Sequence, residues 1–205
     1  MDADGGNQQP VTDFSSAVID WHPEGTGLIF NCDAFGEEQN VPDICTMDAD
    51  GNVEQIIDRD ATREFDAHYA PDGGTVWFTV DVGGDLDVYS LDVASGEITP
   101  RLHTEEFEEQ ARPSPDGTRL LFTLTWHADL DNVDIYVWDL GEDTFLGLTD
   151  APGKDSMPEW SPDGSEILFA SDRTGSWDLW IMDSDGSNLR QLTETPDIDE
   201  IVPSW

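Results

Sequence analysis

The 205-residue chain carries 46 acidic and eight basic residues, which gives a formal net charge of −38 at pH 7. A field this negative repels nucleic acid and anionic lipid, so neither is expected as a partner. No apolar run is long enough to span a membrane, and residues 1–10 lack the basic and apolar segments of a secretory signal. The length and the content of eight Trp and nine Phe predict one folded domain over residues 1–205.

A turn motif recurs four times along the chain. Each copy is a proline followed by an acidic residue and a glycine, and each is followed seven residues after the proline by a phenylalanine. Proline and glycine in this order favour a tight turn between two strands. The prolines are Pro23, Pro71, Pro115 and Pro162, at intervals of 48, 44 and 47 residues, and the phenylalanines are Phe30, Phe78, Phe122 and Phe169.

A second motif, Asp-aliphatic-x-x-apolar-Asp, follows each turn at 43–48, 87–92, 134–139 and 178–183. Each period therefore holds about four short apolar strands, and no stretch has helical periodicity. Four strands in 40–50 residues are typical of a propeller blade. We predict an all-β protein, a β-propeller with four full four-stranded blades at approximately 17–60, 65–103, 109–150 and 156–194.

The two ends of the chain align with single strands of the same repeat. Residues 1–13 match an outer strand, and residues 201–205 match an inner strand. The expected architecture is thus an open or incomplete ring with one orphan strand at each end. Such a ring is either a segment of a longer propeller or an array whose open edges pair with another chain, as in a homodimer.

The last repeat, "PEWSPDGSEILFASDRTGSWDLWIMDSDGSNLRQLT" at 158–193, resembles the WD-like β-propeller repeat of the TolB family. Similar repeats build the propeller domains of prolyl-oligopeptidase-like and tricorn-type proteases and of oligogalacturonate lyases. The resemblance implies a propeller fold, a role in protein binding and an extracytoplasmic location, although the chain carries no signal peptide. The acid excess, with Lys154 as the only lysine, resembles proteins of salt-loving organisms.

One column of the repeat varies in chemistry. The residue before the aromatic position of each inner strand is Asp20, His68, Arg112, Glu159 and Ser204. Inner strands line the central channel, so the first four residues are candidate ligand-binding residues. They could hold a polar ligand or a divalent metal, or run acid–base chemistry. The simpler reading, which we favour, is a solvated channel mouth with ion pairs.

All length variation between blades falls in the loop between the second and third strands. Rigid scaffolds with variable loops commonly bind partners through those loops. The candidate partner-binding residues are Phe35, Trp126 and Trp177. The alternative is that these aromatic side chains pack locally against their own hairpin ends.

The repeated aspartates and the two cysteines have structural explanations. The aspartates are expected to cap turns rather than bind metal. Cys32 and Cys45 lie 13 residues apart, which fits no metal-site pattern, and two buried free thiols is the favoured reading. The alternative is a disulfide between these two cysteines across neighbouring strands.

The sequence contains no nucleophile elbow, phosphate loop, zinc signature or dinucleotide fingerprint. We therefore assign no catalytic residue and expect no cofactor. The leading hypothesis is a non-catalytic scaffold that binds another protein. The alternative is the propeller domain of an enzyme, either a peptidase gating domain or a polysaccharide lyase, with a polar or metal site in the channel.

Overall fold

The computed structural model describes residues 16–33, 42–57, 62–195 and 198–205. These residues form four antiparallel sheets of four strands, and in every sheet the strands pair in chain order. The predicted all-β class and the four four-stranded blades are confirmed. Within the described ranges, no helix is long and apolar enough to cross a membrane.

Each blade runs from an inner strand at the channel to an outer strand at the rim. Blade 1 contains β1 (Ser16–Trp21), β2 (Gly27–Asp33), β3 (Pro42–Asp48) and β4 (Val53–Ile57). Blade 2 contains β5 (Arg63–Tyr69), β6 (Thr75–Val82), β7 (Asp85–Asp92) and β8 (Glu97–Leu102). Blade 3 contains β9 (Phe107–Pro113), β10 (Arg119–Thr125), β11 (Val133–Asp139) and β12 (Thr144–Gly147). Blade 4 contains β13 (Asp155–Trp160), β14 (Glu166–Ser171), β15 (Asp178–Asp183) and β16 (Arg190–Gln191).

The Pro-acidic-Gly motif closes the turn between the first two strands of every blade. In blade 3 the Gly117 N–H donates to the Ser114 carbonyl at 2.8 Å, and Gly117 has a φ of +71°. A side chain at that φ would be strained, so the turn requires glycine. The same hydrogen bond and a φ between +67° and +71° recur at Gly25, Gly73 and Gly164.

In blades 1 to 3 the second aspartate of the strand motif caps the turn that follows it. Asp139 accepts hydrogen bonds from the Gly141 and Glu142 N–H groups, at 3.0 and 2.8 Å. Asp48 and Asp92 cap the corresponding turns in blades 1 and 2. These three aspartates thus make the side-chain to backbone hydrogen bonds that were predicted for the series.

The core lies between the blades rather than within them. Phe78 and Val80 of blade 2 pack against Ile29 and Ile44 of blade 1, and all four side chains are fully buried. Phe122 and Phe169 are buried in the next two interfaces. Each buried aromatic side chain of this kind contributes about 1.5–3 kcal/mol, so every interface depends on its phenylalanine.

The two cysteines form a disulfide, so the favoured prediction of two free thiols was wrong. Phe30 lies opposite Cys45, and Cys32 lies opposite Asp43, which places the two cysteines diagonally across β2 and β3. Their Cα atoms are 5.8 Å apart, within the range that a disulfide spans. The bond lies in the buried cluster of Phe30 and Met47, on the face of blade 1 away from blade 2.

Successive blades are joined by contacts between their strands, whereas no extensive contact joins blade 4 to blade 1 in the described part of the chain. Residues 201–205 do not pair as a strand with any described neighbour. The Trp205 indole nevertheless donates to the Glu159 carbonyl at 3.2 Å, as the Trp160 indole does to the Arg112 carbonyl at 3.0 Å. Trp205 therefore repeats the inner-strand contact of the preceding blade. The predicted orphan strand at 1–13 lies outside the described residues.

Candidate functional site

The inner strands are bent by β-bulges that direct side chains into the channel. Register shifts interrupt the pairing of all four inner strands with their neighbours. In blades 2 to 4 the bulge contains a non-glycine residue with a φ of +54° to +58°, namely Asp66, Gln110 or Met157. Bulges of this kind re-aim the side chains that follow them. Here the re-aimed residues are His68, Arg112 and Glu159, two positions further along.

The structure brings Asp20, His68, Arg112 and Glu159 together at the channel mouth. They line a cavity of about 180 Å³ with Tyr69 and Trp160. The cavity lies next to Pro115, and therefore at the end of the channel where the proline-glycine turns lie. Predicting this group from the sequence was possible because its members share one position in the repeat.

Charged side chains from consecutive blades form a continuous ladder at this mouth. Arg112 donates from Nη1 and Nη2 to the two carboxylate oxygens of Asp66, at 2.9 and 3.0 Å, and from Nε to Glu159 at 2.9 Å. His68 Nδ1 lies 3.3 Å from Asp20, and its Nε2 lies 3.5 Å from Asp66. The ladder thus uses three carboxylates, one guanidinium and one imidazole.

The contacts within the ladder shift the pKa values of its titratable groups. Burial opposes ionisation of Asp66, yet the Arg112 guanidinium and His68 hold the pKa of Asp66 well below its usual range. Burial and Arg112 would lower the pKa of His68, but the carboxylates of Asp20 and Asp66 outweigh them and raise it. Burial also opposes the charge of Arg112, while Asp66 and Glu159 raise the pKa of Arg112. Oppositely charged neighbours thus favour the charged forms of Asp66, His68 and Arg112.

Asp66 was missed at the sequence level. Its position holds Gln110 in blade 3 and Met157 in blade 4, so no chemical trend marks it. Its side chain reaches the channel only because its backbone adopts a positive φ, which non-glycine residues seldom do. Within the described residues, no group of three or more His, Cys, Asp or Glu side chains has an arrangement that could hold a metal ion.

A second concave site lies at the opposite end of the blades, beside Trp126. A groove of about 470 Å³ runs between blades 2 and 3. Its floor is aromatic: the Phe122 ring stacks with the Tyr136 ring at 5.7 Å and meets the Phe145 ring edge-on at 6.1 Å. The lining residues are Leu102, Thr104, Glu105, Glu106, Glu108, Phe122, Leu124, Trp126, Tyr136 and Phe145.

Trp126 is 43% exposed and lies at the rim of this groove, in the variable loop that was predicted to carry contact residues. Trp177 is only half-buried, and its backbone is tied to the chain's last segment, because the Glu200 N–H donates to the Trp177 carbonyl at 3.0 Å. Phe35 lies outside the described residues. Of the three predicted contact residues, the structure therefore places Trp126 at a concave surface.

Glu108 gives the groove a buried carboxylate. Only 1% of the residue is exposed, and its carboxylate accepts hydrogen bonds from the hydroxyl and the N–H of Thr104. Burial raises the pKa of Glu108, and the nearby Asp87 and Asp85 raise it further. Glu105 and Glu106 add two more carboxylates at the rim. The groove is therefore apolar, aromatic and negatively charged.

Comparisons with known proteins agree with the repeat. Residues 108–205 match the family model described as "TolB beta propeller domain". The predicted TolB-like resemblance is confirmed. A crystal structure of TolB from Acinetobacter baumannii superposes with a TM-score of 0.78 at 22% identity, covering 97% of this chain and 49% of that one.

Two further proteins resemble this chain, one in sequence and one in structure. An uncharacterized protein of Agrobacterium fabrum is 26% identical over 158 residues, which is 73% of this chain and 52% of that protein. An oligogalacturonate lyase in complex with manganese superposes with a TM-score of 0.64 at 16% identity, covering 83% of this chain and 50% of that one. The chain thus spans about half the length of these relatives. The structural likenesses establish the fold and leave the function open.

Proposed function

We propose that the chain is part of a non-catalytic TolB-like propeller scaffold that binds another protein. The observation that carries the proposal is the groove beside Trp126. It combines an exposed tryptophan with an aromatic floor in a concave surface, and tryptophan and tyrosine are enriched among residues that dominate binding energy. The resemblance to TolB-type propellers independently implies protein binding.

The charged side chains at the channel mouth also support a non-catalytic role, because they are engaged with one another. A general base must be free to take a proton from a substrate. His68 already lies between the carboxylates of Asp20 and Asp66. Arg112 already forms ion pairs with Asp66 and Glu159. We assign the ladder a structural role, in which it fixes the order and spacing of the inner strands.

Site-specific photo-crosslinking tests the proposal. A benzophenone amino acid replaces Trp126 in one variant and Tyr69, at the channel mouth, in another. Both are illuminated in extract of the source organism at high salt. We expect one discrete crosslinked protein with the Trp126 variant alone, lost when Phe145→Ala is added. Crosslinking from the Tyr69 variant alone would refute the placement of the partner.

The propeller domain of an enzyme is the second candidate. The observation that favours it is the polar cavity of about 180 Å³ beside His68 and Arg112 at the channel mouth. Peptide and polygalacturonate substrates separate the candidates. A hydrolytic or lyase activity lost in His68→Ala or Arg112→Ala would overturn the scaffold proposal.

Self-association is a further part of the proposal. Ile19 and Trp21 on the inner strand of blade 1 are 59% and 65% exposed, although both are large hydrophobic residues. We take these two side chains, which share one strand, as candidate contacts for a second copy of the chain. The mass in solution at about 1 M KCl, where charge repulsion is screened, decides between a monomer and a homodimer through the open edges.

A further inference from the structure

Blades 3 and 4 carry equivalent sites filled in different ways. The strand register defines the equivalence. Phe122 lies opposite Tyr136 on β10 and β11, as Phe169 lies opposite Trp180 on β14 and β15. Glu108 pairs with Leu124 at the start of the inner strand, as Asp155 pairs with Ser171.

The equivalent loop residues are Trp126 and Arg173. Each stands eleven residues after the turn proline of its blade, Pro115 or Pro162. The two sites therefore share two aromatic rings and one buried carboxylate at matching positions. They differ in the residue that the loop contributes.

In blade 4 the loop residue fills the site with a guanidinium group. The Arg173 guanidinium lies over the Trp180 ring at 4.8 Å and over the Phe169 ring at 5.6 Å. Its Nη2 donates to Asp155 at 2.6 Å, and its Nε donates to the Ser171 hydroxyl at 3.0 Å. Cation–π contact combined with a charge-assisted hydrogen bond is a strong way to hold an arginine.

In blade 3 the same site is open. Trp126 cannot supply a cation, and the groove of about 470 Å³ lies where Arg173 lies in blade 4. Among the described residues, no arginine or lysine forms an ion pair with Glu108. The His103 imidazole lies 2.7 Å from Asp87 and is paired with that carboxylate. The carboxylate and the aromatic rings are thus present without the cation.

We propose that the groove beside Trp126 binds an arginine side chain of a partner polypeptide, with its guanidinium between the Phe122 and Tyr136 rings and Glu108. The internal arrangement of Arg173 specifies a guanidinium, because its planar group can stack on a ring while it donates to a carboxylate. Leu102, Leu124 and Phe145 leave room for apolar groups beside that arginine.

Charge around the groove favours the same ligand. Glu105 and Glu106 lie at the rim, and Asp85 and Asp87 lie behind Glu108. Two imidazoles lie among these carboxylates, that of His103 at 2.7 Å from Asp87 and that of His127 at 3.4 Å from Glu106. The field is therefore negative, and a neutral or acidic segment would leave the Glu108 carboxylate without a counter-charge. The inference rests on the proposed function only for the source of the arginine.

A titration with small probes tests the site without a partner. The probes are N-acetyl-arginine methylamide, its lysine analogue and its neutral citrulline analogue, at pH 8 and about 1 M KCl, where non-specific attraction is screened. The signal is the indole N–H of Trp126 in a ¹H–¹⁵N spectrum, assigned from its absence in Trp126→Phe. We expect a saturable shift with the arginine probe, weaker binding of the lysine probe and none of the citrulline probe.

Three variants sharpen the test. Glu108→Gln should weaken binding of the arginine probe about tenfold, because a hydrogen bond to a charged group is lost. Glu97→Gln on β8 removes the same charge from an exposed site and should change nothing. Trp126→Arg should abolish binding, followed through the amide of Thr104, because the new side chain would fill the site.

Failure of Glu108→Gln to fold would leave Trp126→Arg and the probe series as the decisive measurements. No saturable shift with the arginine probe overturns the inference, as does equal binding of the citrulline or lysine probe. A crosslinked partner that binds without arginine would overturn the inference and leave the proposed function intact. Binding of the arginine probe without any crosslinked partner would support the inference and overturn the proposed function.

Discussion

Arg112 and Asp66 form a two-point ion pair between neighbouring inner strands, with both carboxylate oxygens within 3.0 Å of the guanidinium. Both side chains are about nine-tenths buried. A buried pair is costly to break, because removal of one partner leaves the other charge without compensation. The pair therefore ties blade 2 to blade 3 at the channel.

Arg112→Ala should lower the free energy of unfolding by about 3–5 kcal/mol, measured by urea denaturation at constant salt. Arg63→Ala is the matched control. Arg63 is 58% exposed and lies 3.7 Å from Asp81, so its loss should cost less than about 1 kcal/mol. Equal losses in the two variants would show that the ladder adds no stability.

His68 should titrate above its ordinary pKa of about 6.5, because Asp20 and Asp66 outweigh the effects of burial and of Arg112. A raised pKa in the folded state gives stability that is fully present below about pH 6.5 and is lost as pH rises through the folded value. His68→Gln should therefore cost most at pH 6 and least at pH 9.

The imidazole resonances of His68, followed by NMR, give the pKa directly. Asp20→Asn removes one carboxylate and should bring that pKa down. An unshifted pKa in the wild-type protein, or a higher one in Asp20→Asn, would contradict the ladder geometry.

Reduction of the Cys32–Cys45 bond should destabilise blade 1. A loop of this size corresponds to a loss of about 3 kcal/mol on loop-closure grounds. Mass spectrometry after alkylation should find no modified cysteine in the unfolded protein unless a reductant was added first. Two alkylated cysteines without reductant would show that the bond does not form. Cys32→Ser with Cys45→Ser should reproduce the melting temperature of the reduced protein.

High salt should stabilise the fold. With a net charge of −38, carboxylates repel one another across the surface, and raising KCl from 0.1 to 1 M shortens the screening length from about 10 Å to about 3 Å. The melting temperature should rise, and NaCl at equal ionic strength should act alike. Identical melting temperatures at low and high salt would show that the acidity has another cause.

The blades were predictable because the turn prolines and the phenylalanines repeat at nearly constant spacing. The channel group of Asp20, His68, Arg112 and Glu159 was predictable for the same reason. The disulfide was not, because it depends on the diagonal register of β2 against β3. A sequence shows which residues recur, but it does not determine which residues lie opposite one another on paired strands.

Asp66 and the groove escaped prediction for different reasons. Asp66 enters the ladder through a positive φ that has no signature in a non-glycine residue. The groove exists because blade 3 has Trp126 where blade 4 has Arg173. This difference can be interpreted only when the contacts of Arg173 with Asp155 and Trp180 are known. Once those contacts are known, the aligned repeat identifies the unfilled copy.

The melting temperature of Trp126→Arg tests the central claim most directly. If blade 3 contains an unfilled copy of the site that Arg173 fills, the new guanidinium should pair with Glu108 and stack on Tyr136. We predict a rise of about 2–4 °C, corresponding to about 1 kcal/mol, and no rise when Glu108→Gln is also present. A melting temperature that is unchanged or lower in Trp126→Arg, with the fold intact, would contradict the equivalence of the two sites.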